Sequence, residues 1–224
     1  AYKVNKDLNV YARYAKGFKS GGFSGEVPNM VGVTTPFKPE ESKTIEAGFK
    51  ATFADGRAQL NAAIFHNKIT DMHTTRLIPG TTSSVVSNAG EAVSKGIELE
   101  GVLVPADVWK IQGSYGYLEA EAKEFMDYPF NATTAALAGV STTTLIDTAG
   151  NRVMPYAPQH TFSLSVDGRL AKTAWGTLRG ILDYTYTSDF YAYSSNKSYT
   201  VANARQSGTL ANINKMPALG LVNA

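Results

Sequence analysis

The sequence predicts an all-β fold, an antiparallel transmembrane β-barrel segment of about seven strands plus a partial strand. Three observations lead there. Stretches of roughly ten residues alternate apolar and polar side chains, the period of a strand with two unlike faces. Tight polar turns near Asp55-Gly56, Pro105-Ala106-Asp107 and Lys172-Thr173 alternate with much longer connections, so the strands are joined short, long, short, long. The 224 residues are 43% hydrophobic and 18% charged, with no apolar run near the roughly 18 residues a spanning helix needs. A barrel crosses a bilayer with such a composition because only alternate residues face lipid.

The first strand covers residues 8–15, with Val10, Ala12 and Tyr14 opposing Asn9, Tyr11 and Arg13. A loop is expected over 17–41. The second strand, 44–53, sets Ile45, Ala47, Phe49, Ala51 and Phe53 against Thr44, Glu46, Gly48, Lys50 and Thr52. Asp55-Gly56 supplies the positive φ of a tight turn, and the third strand returns over 58–69, with Leu60, Ala62 and Ile64 opposing Gln59, Asn61 and Ala63. A second loop is expected over 70–91. In the fourth strand, 96–104, Glu98 and Glu100 share a face that lipid would not tolerate, so this face should line the interior.

Past Pro105, Trp109, Ile111, Gly113, Tyr115 and Tyr117 alternate with Lys110, Gln112, Ser114 and Gly116, and aromatic rings at both ends suit a membrane-interface girdle. The longest loop is expected over 121–158. Residues 161–170 then alternate again. Asp167-Gly168 resembles a turn, but turning there leaves a double-length segment behind it, whereas a turn near 172–175 yields two matched strands and is preferred. The seventh strand, 177–187, opposes Leu178, Leu182 and Tyr184 to Arg179 and Asp183, and 221–224 begins another strand.

The chain has no cysteine, which removes disulfides, thiolate zinc sites and thiol catalysis together. Its net charge of +2 is spread without a basic block, so nucleic acid is not an expected partner. Residues 1–6 lack the charged and apolar regions of a signal peptide. About seven strands plus a stump fall short of the even number, from 8 upward, with which such barrels normally close, and an open sheet would leave two unpaired edges in a membrane, so the expectation is a fragment of a larger barrel.

Little in the sequence points to catalysis, and no catalytic residue, metal site or cofactor is assigned. The glycines of 17–25 are not followed by a helical period, as a phosphate loop would require. His66, Asp71 and His73 have metal-ligand chemistry, but a continuing strand would point the two imidazoles to opposite faces. No Gly-x-Ser-x-Gly elbow marks a hydrolytic serine. The polar strand faces carry more information: Tyr11, Arg13, Glu46, Lys50, Asn61, Glu98, Glu100, Lys110, Gln112, Arg179 and Asp183 should face the lumen, mostly paired across neighbouring strands. A soluble secreted β-sandwich for adhesion or carbohydrate binding also fits alternating strands.

Several segments in order carry a resemblance to a known family: Tyr11-Ala-Arg-Tyr-Ala-Lys-Gly-Phe-Lys-Ser-Gly-Gly-Phe23, Phe37-Lys-Pro-Glu-Glu-Ser42, Ile45-Glu-Ala-Gly-Phe-Lys50, Asn61-Ala-Ala-Ile-Phe65, Asn88-Ala-Gly90 and Gly96-Ile-Glu-Leu-Glu100. Together they resemble the C-terminal barrel half of TonB-dependent outer-membrane receptors. The resemblance implies a 22-stranded barrel around a plug domain in the outer membrane of a Gram-negative bacterium, importing ferric siderophores or similar solutes with energy from the inner-membrane TonB complex. It also implies that the chain is a partial barrel domain over 1–224, with the plug, the TonB box and the final strands absent from it. Solute capture would then fall to the outer loops, where Arg76, Arg152, Tyr128, Phe130 and Tyr156 offer guanidinium groups and rings to an anionic, partly aromatic iron chelate. A passive porin is the nearest alternative, since it needs neither plug nor TonB box.

Overall fold

The computed structural model describes residues 1–25, 34, 36–129, 132–193 and 215–223. Its long strands are β2 (Leu8–Lys19), β5 (Glu40–Phe53), β6 (Ala58–Leu77), β7 (Ser84–Ala106), β8 (Trp109–Asp127), β10 (His160–Thr173) and β11 (Gly176–Thr187), followed by the short β14 (Leu219–Asn223). Small pieces complete the set: β1 (Tyr2–Lys3), β3 (Gly22–Phe23), β4 (Pro36–Phe37), β9 (Ile146–Asp147), β12 (Phe190–Tyr191), β13 (Lys215–Met216) and the single-turn helix α1 (Ala132–Leu137). The main sheet runs β1-β2-β5-β6-β7-β8-β10-β11-β14, antiparallel throughout, with β9 attached to β8. Each long strand pairs with the next long strand in the chain, as a meander requires.

The register lines up the two faces predicted from alternation. Along one cross-strand row, Asn9, Lys50, Asn61, Glu100, Ser114, Ser163 and Thr185 are paired in sequence. The next residue down each strand turns the other way, giving Leu8, Ala51, Leu60, Gly101, Gly113, Leu164 and Tyr184. No large side chain is fully buried among the described residues, and Ile45, Ile64 and Leu178 remain 62%, 59% and 57% exposed. An apolar face this open has no protein core behind it. Hydrocarbon is the solvent that stabilises it.

The polar face satisfies itself largely across strands. The Tyr11 hydroxyl donates to Glu46 Oε1 and Arg13 Nη2 to Glu46 Oε2, both at 2.8 Å. Arg179 reaches Asp167 at 2.6 Å, and the Ser114 and Ser163 hydroxyls meet at 2.7 Å. Pairs this exposed contribute about 0–1 kcal/mol each, so they set alignment more than stability.

At one end the connections are short. Ala54, Asp55 and Gly56 take φ of 51°, 53° and 90°, so the turn at Asp55-Gly56 begins one residue earlier than the sequence suggests. Arg57 closes it against the next turn through Asp107 at 2.6 Å. The β10–β11 turn occupies 174–175, between the paired Thr173 and Gly176. Asp167 and Gly168 therefore lie inside β10, and Gly168 is small for another reason: the Trp109 indole on the adjacent strand lies over it. Gly48 seats Tyr11 in the same way, since a Cβ there would be 2.5 Å from the Ala62 carbonyl oxygen and 2.8 Å from Tyr11 Cζ.

The loop boundaries need correction. Strand β2 continues to Lys19 and β5 begins at Glu40, so the loop expected over 17–41 is shorter. The loop expected over 70–91 is mostly the tips of β6 and β7, joined by 78–83, and β8 extends seven residues into the loop expected from 121. Beyond the bilayer both strand faces meet water or other loops. The alternation that marks a strand in sequence fades there while backbone pairing continues.

Replacing Gly48 with Val should lower the unfolding free energy by about 1–3 kcal/mol through overpacking against Tyr11 and Ala62. Gly17, with open space at its Cβ position, provides the contrast. Gly17→Val should stay within about 0.5 kcal/mol in the same urea titration of the membrane-inserted barrel.

Candidate functional site

The long-connection end is where side chains of different strands converge. Strand β6 shifts register around 69–73, with Asp71 at φ 52°, and this bulge re-aims the tip of the β6–β7 hairpin. His73 consequently meets the segment entering β5. Its backbone N–H donates to Glu40 Oε2 at 2.8 Å, its Nε2 lies 2.7 Å from the Lys38 carbonyl oxygen, and its ring meets Phe37 edge-on at 4.7 Å. Asn88 completes the clamp, accepting from Lys38 N at 2.6 Å and donating to the carbonyls of Lys38 and Asp71. His66 stands on the apolar face, in the same row as Tyr14 and Ile45. Among the described residues no three His, Cys, Asp or Glu side chains gather as a metal site.

A second cluster caps β8. Asp147 Oδ1 accepts from the N–H groups of Phe125 and Ala149, both at 2.9 Å, and the Thr148 hydroxyl donates to the Phe125 carbonyl. Arg152 lies with its guanidinium 4.2 Å from the Phe125 ring centroid, donates from Nε to Thr148 Oγ1 at 3.2 Å and pairs with Asp127. Its side chain is only 15% exposed, so this arginine braces the rim as much as it faces solvent. Beside it, Arg76 reaches from β6 to the Met126 carbonyl at 3.4 Å and sits 5.6 Å from the Tyr128 ring centroid. Among the described residues, Arg76 Nε is buried with no hydrogen-bond partner.

Of the five capture residues expected from sequence, Arg76, Tyr128 and Arg152 thus belong to one neighbourhood around the end of β8. Tyr156 stands apart: it is 70% exposed, with φ 53°, and its ring lies 6.0 Å from Phe190. Phe130 lies outside the described residues. Sequence reading missed the bracing groups, Asp127, Asp147, Thr148 and the Glu40–His73–Asn88 clamp. The available signal was polar residues interrupting strand-like runs, which alone does not identify partners.

Beside this second cluster a cleft of about 520 Å³ opens where the β8–β10 ladder ends at Tyr117 and His160. Leu118, Glu121, Arg152, Met154, Gln159 and Tyr191 are among its walls. Near it, Asp189 and Lys215 pair at 2.6 Å across the β12–β13 ladder. The hydrogen bond from Lys215 lowers the Asp189 pKa, and the same bond raises that of Lys215.

Short turns at one end, long connections at the other, an apolar outer face and a satisfied polar face define a segment of an outer-membrane β-barrel. The family model described as TonB dependent receptor-like, beta-barrel, matches residues 1–216, and the chain belongs to this family of outer-membrane receptors. Among individual proteins, it is 30% identical over 120 residues to the metal-pseudopaline receptor CntO of Pseudomonas aeruginosa, covering 54% of this chain and 16% of that protein. It is 34% identical over 116 residues to the pesticin receptor of Yersinia enterocolitica, covering 50% and 16% respectively. The crystal structure of the ferric yersiniabactin uptake receptor FyuA from Yersinia pestis superposes with a TM-score of 0.67 at 23% identity, covering 99% of this chain and 27% of that one. The siderophore receptor PiuA from Acinetobacter baumannii gives 0.65 at 21% identity, with 99% and 27% coverage. The aligned part of the chain is thus about a sixth of each of these curated relatives. Membership in this family replaces the secreted β-sandwich alternative, and the 22-stranded barrel fits the solved neighbours.

Asp127→Asn should release Arg152 and speed hydrogen exchange at 147–153 by roughly 10-fold or more, reflecting loss of a charge-assisted bond. The lowered Asp189 pKa stabilises the β12–β13 pairing above the ordinary carboxylate range and is lost as pH falls through it. The raised Lys215 pKa stabilises it below the ordinary lysine value of 10.5, with loss as pH rises beyond. Protection of these amides, corrected for intrinsic exchange, should therefore be flat from about pH 5 to 9 and fall outside that window.

Proposed function

We propose that this chain supplies part of the wall and rim of an energy-coupled import receptor for ferric siderophores, which binds its solute without covalent chemistry and is not an enzyme. The observation that carries the reading is the conjunction of family membership with a rim where cations and rings stand together, Arg76 with Tyr128 and Arg152 with Phe125. An anionic iron chelate offers carboxylate, hydroxamate or phenolate oxygens to the guanidinium groups and apolar parts to the rings. Several relatives are themselves named for siderophores, among them the ferric-pyoverdine 358 receptor of Pseudomonas putida.

In this reading Tyr11, Arg13, Glu46, Lys50, Asn61, Glu98, Glu100, Lys110, Gln112, Arg179 and Asp183, which share one sheet face, line the lumen and meet the plug. Arg76, Tyr128, Phe130, Arg152 and Tyr156 are the residues assigned to solute binding in this reading. Plug and TonB box belong to parts of the whole receptor outside this segment. Capture at the rim is followed by plug rearrangement when the TonB complex pulls, so solute passes the polar wall only under energy input.

The test is uptake of radiolabelled iron chelates by cells expressing the whole receptor, with and without functional TonB. Saturable uptake that disappears without TonB is expected, and Arg76→Ala should raise the chelate Kd by roughly 10-fold, about 1.4 kcal/mol. Passage that is independent of TonB would replace this reading with a passive pore.

A further inference from the structure

Above Tyr117, one edge of β8 runs on without a strand beside it. The β8–β10 ladder ends at the Tyr117–His160 pair, and β9 joins β8 only at Met126 and Asp127. Among the described residues no strand pairs with this edge in between. An edge of this kind offers main-chain donors and acceptors to any extended chain. Leu118 shows which ones: its N–H donates to the Gln159 carbonyl at 3.0 Å, and main-chain groups two residues apart point the same way. The N–H and C=O groups of Ala120 and Ala122 therefore face that side too. Further on the edge is closed again, since Phe125 N–H donates to Asp147 Oδ1 and the Phe125 carbonyl accepts from Thr148 N–H, both at 2.9 Å.

The local sequence keeps β10 out of this place. Carried on, the β8–β10 register would set Ala157 opposite Ala120 and Pro155 opposite Ala122. Pro155 has no N–H to give the Ala122 carbonyl, and Tyr156, at φ 53°, has left the strand region. The Tyr156 N–H goes instead to the Tyr191 carbonyl at 2.8 Å, which draws the chain away toward β12. The space between is the cleft of about 520 Å³, with Leu118, Ala120 and Ala122 in one wall and Met154, Ala157 and Tyr191 among the others.

We propose that this cleft takes the peptide backbone of the imported chelate as a short strand added to β8, so that the solute class is an iron chelate built on a peptide chain. The proposal rests on the import reading above. The complement of N–H and C=O groups spaced along a strand edge is another extended amide chain, and a chelator without main-chain amides cannot supply it. Size selects a small solute over a partner protein. The stretch from Leu118 to Phe125 spans roughly 23 Å at about 3.3 Å per residue and is closed at both ends, and the cleft has the volume of a small-molecule site. A longer strand of a folded protein would run into Asp147 at one end and Gln159 at the other.

The experiment measures binding of three probes to the whole receptor by fluorescence quenching: a ferric tris-hydroxamate carried on a linear ornithine peptide, the same ferric chelate with its backbone amides N-methylated, and the iron-free peptide. Wild type should bind the first, and N-methylation should weaken binding roughly 10-fold or more. Ala122→Pro removes an N–H on the open edge, where proline is tolerated, and should weaken the first probe by roughly 10-fold. Should that variant fail to fold, amide exchange in wild type carries the test, with slowing at Ala120 and Ala122 expected when the first probe binds. Equal affinity for the two ferric probes, or unchanged exchange at these amides, would overturn the proposal, while TonB-dependent uptake of both would leave the import reading standing. Iron-free peptide bound as tightly as the ferric chelate would assign the cleft to a peptide or protein strand that is not the cargo, and so overturn the proposal as well. Failure of both ferric probes to bind would also sink it, and uptake independent of TonB would remove the import reading with it.

Discussion

Inside a hydrocarbon layer no water is available to a backbone N–H or C=O, and each such group left unpaired costs several kcal/mol. The continuous antiparallel ladder from β2 to β11 follows from this, because it is how the chain pairs its backbone while crossing the layer repeatedly. Once strands must lie side by side with alternate residues facing lipid, the rest is constrained in turn. One face is apolar, the other satisfies itself through pairs such as Arg13 with Glu46, and connections can be elaborate only outside the layer. The glycines under Tyr11 and Trp109 serve the same ladder, giving bulky rings a place to lie without spreading the strands.

Outside the layer the constraint relaxes and side chains take over. The tips of β6, β7 and β8 are still hydrogen-bonded strands, but their orientation is set by bulges and by polar braces such as Glu40 with His73 and Asp127 with Arg152. The second of these braces borders an open cleft through Arg152. The structure thus divides the labour by height: backbone pairing holds the wall, and side-chain chemistry shapes the rim.

Much of the wall was legible in the sequence because a period of two is both the geometric period of a strand and the chemical period of a sheet between lipid and water. Residues 44–53 and 58–69 show it plainly, and the register confirms that Glu46, Lys50 and Asn61 share a face. The turn at 172–175 could be chosen over Asp167-Gly168 from strand length alone. The tips were not legible, since Thr70 to Glu91 carries no clean alternation although most of it is strand. The candidate capture residues were chosen by chemistry rather than position, and the three that converge, Arg76, Tyr128 and Arg152, do so through partners far away in the chain.

By itself, then, the sequence determined which residues face lipid, which face water, and where the short turns fall, because these depend on neighbours two residues apart and on local φ preferences. Only the tertiary structure decided which residues stand beside one another across strands. The lysines at 16, 43 and 68 form a row, and His73 finds Glu40, because register is fixed cooperatively over many ladder bonds between segments separated by tens of residues. No local pattern records such a pairing, since each partner is an ordinary polar residue until the ladder brings the two together.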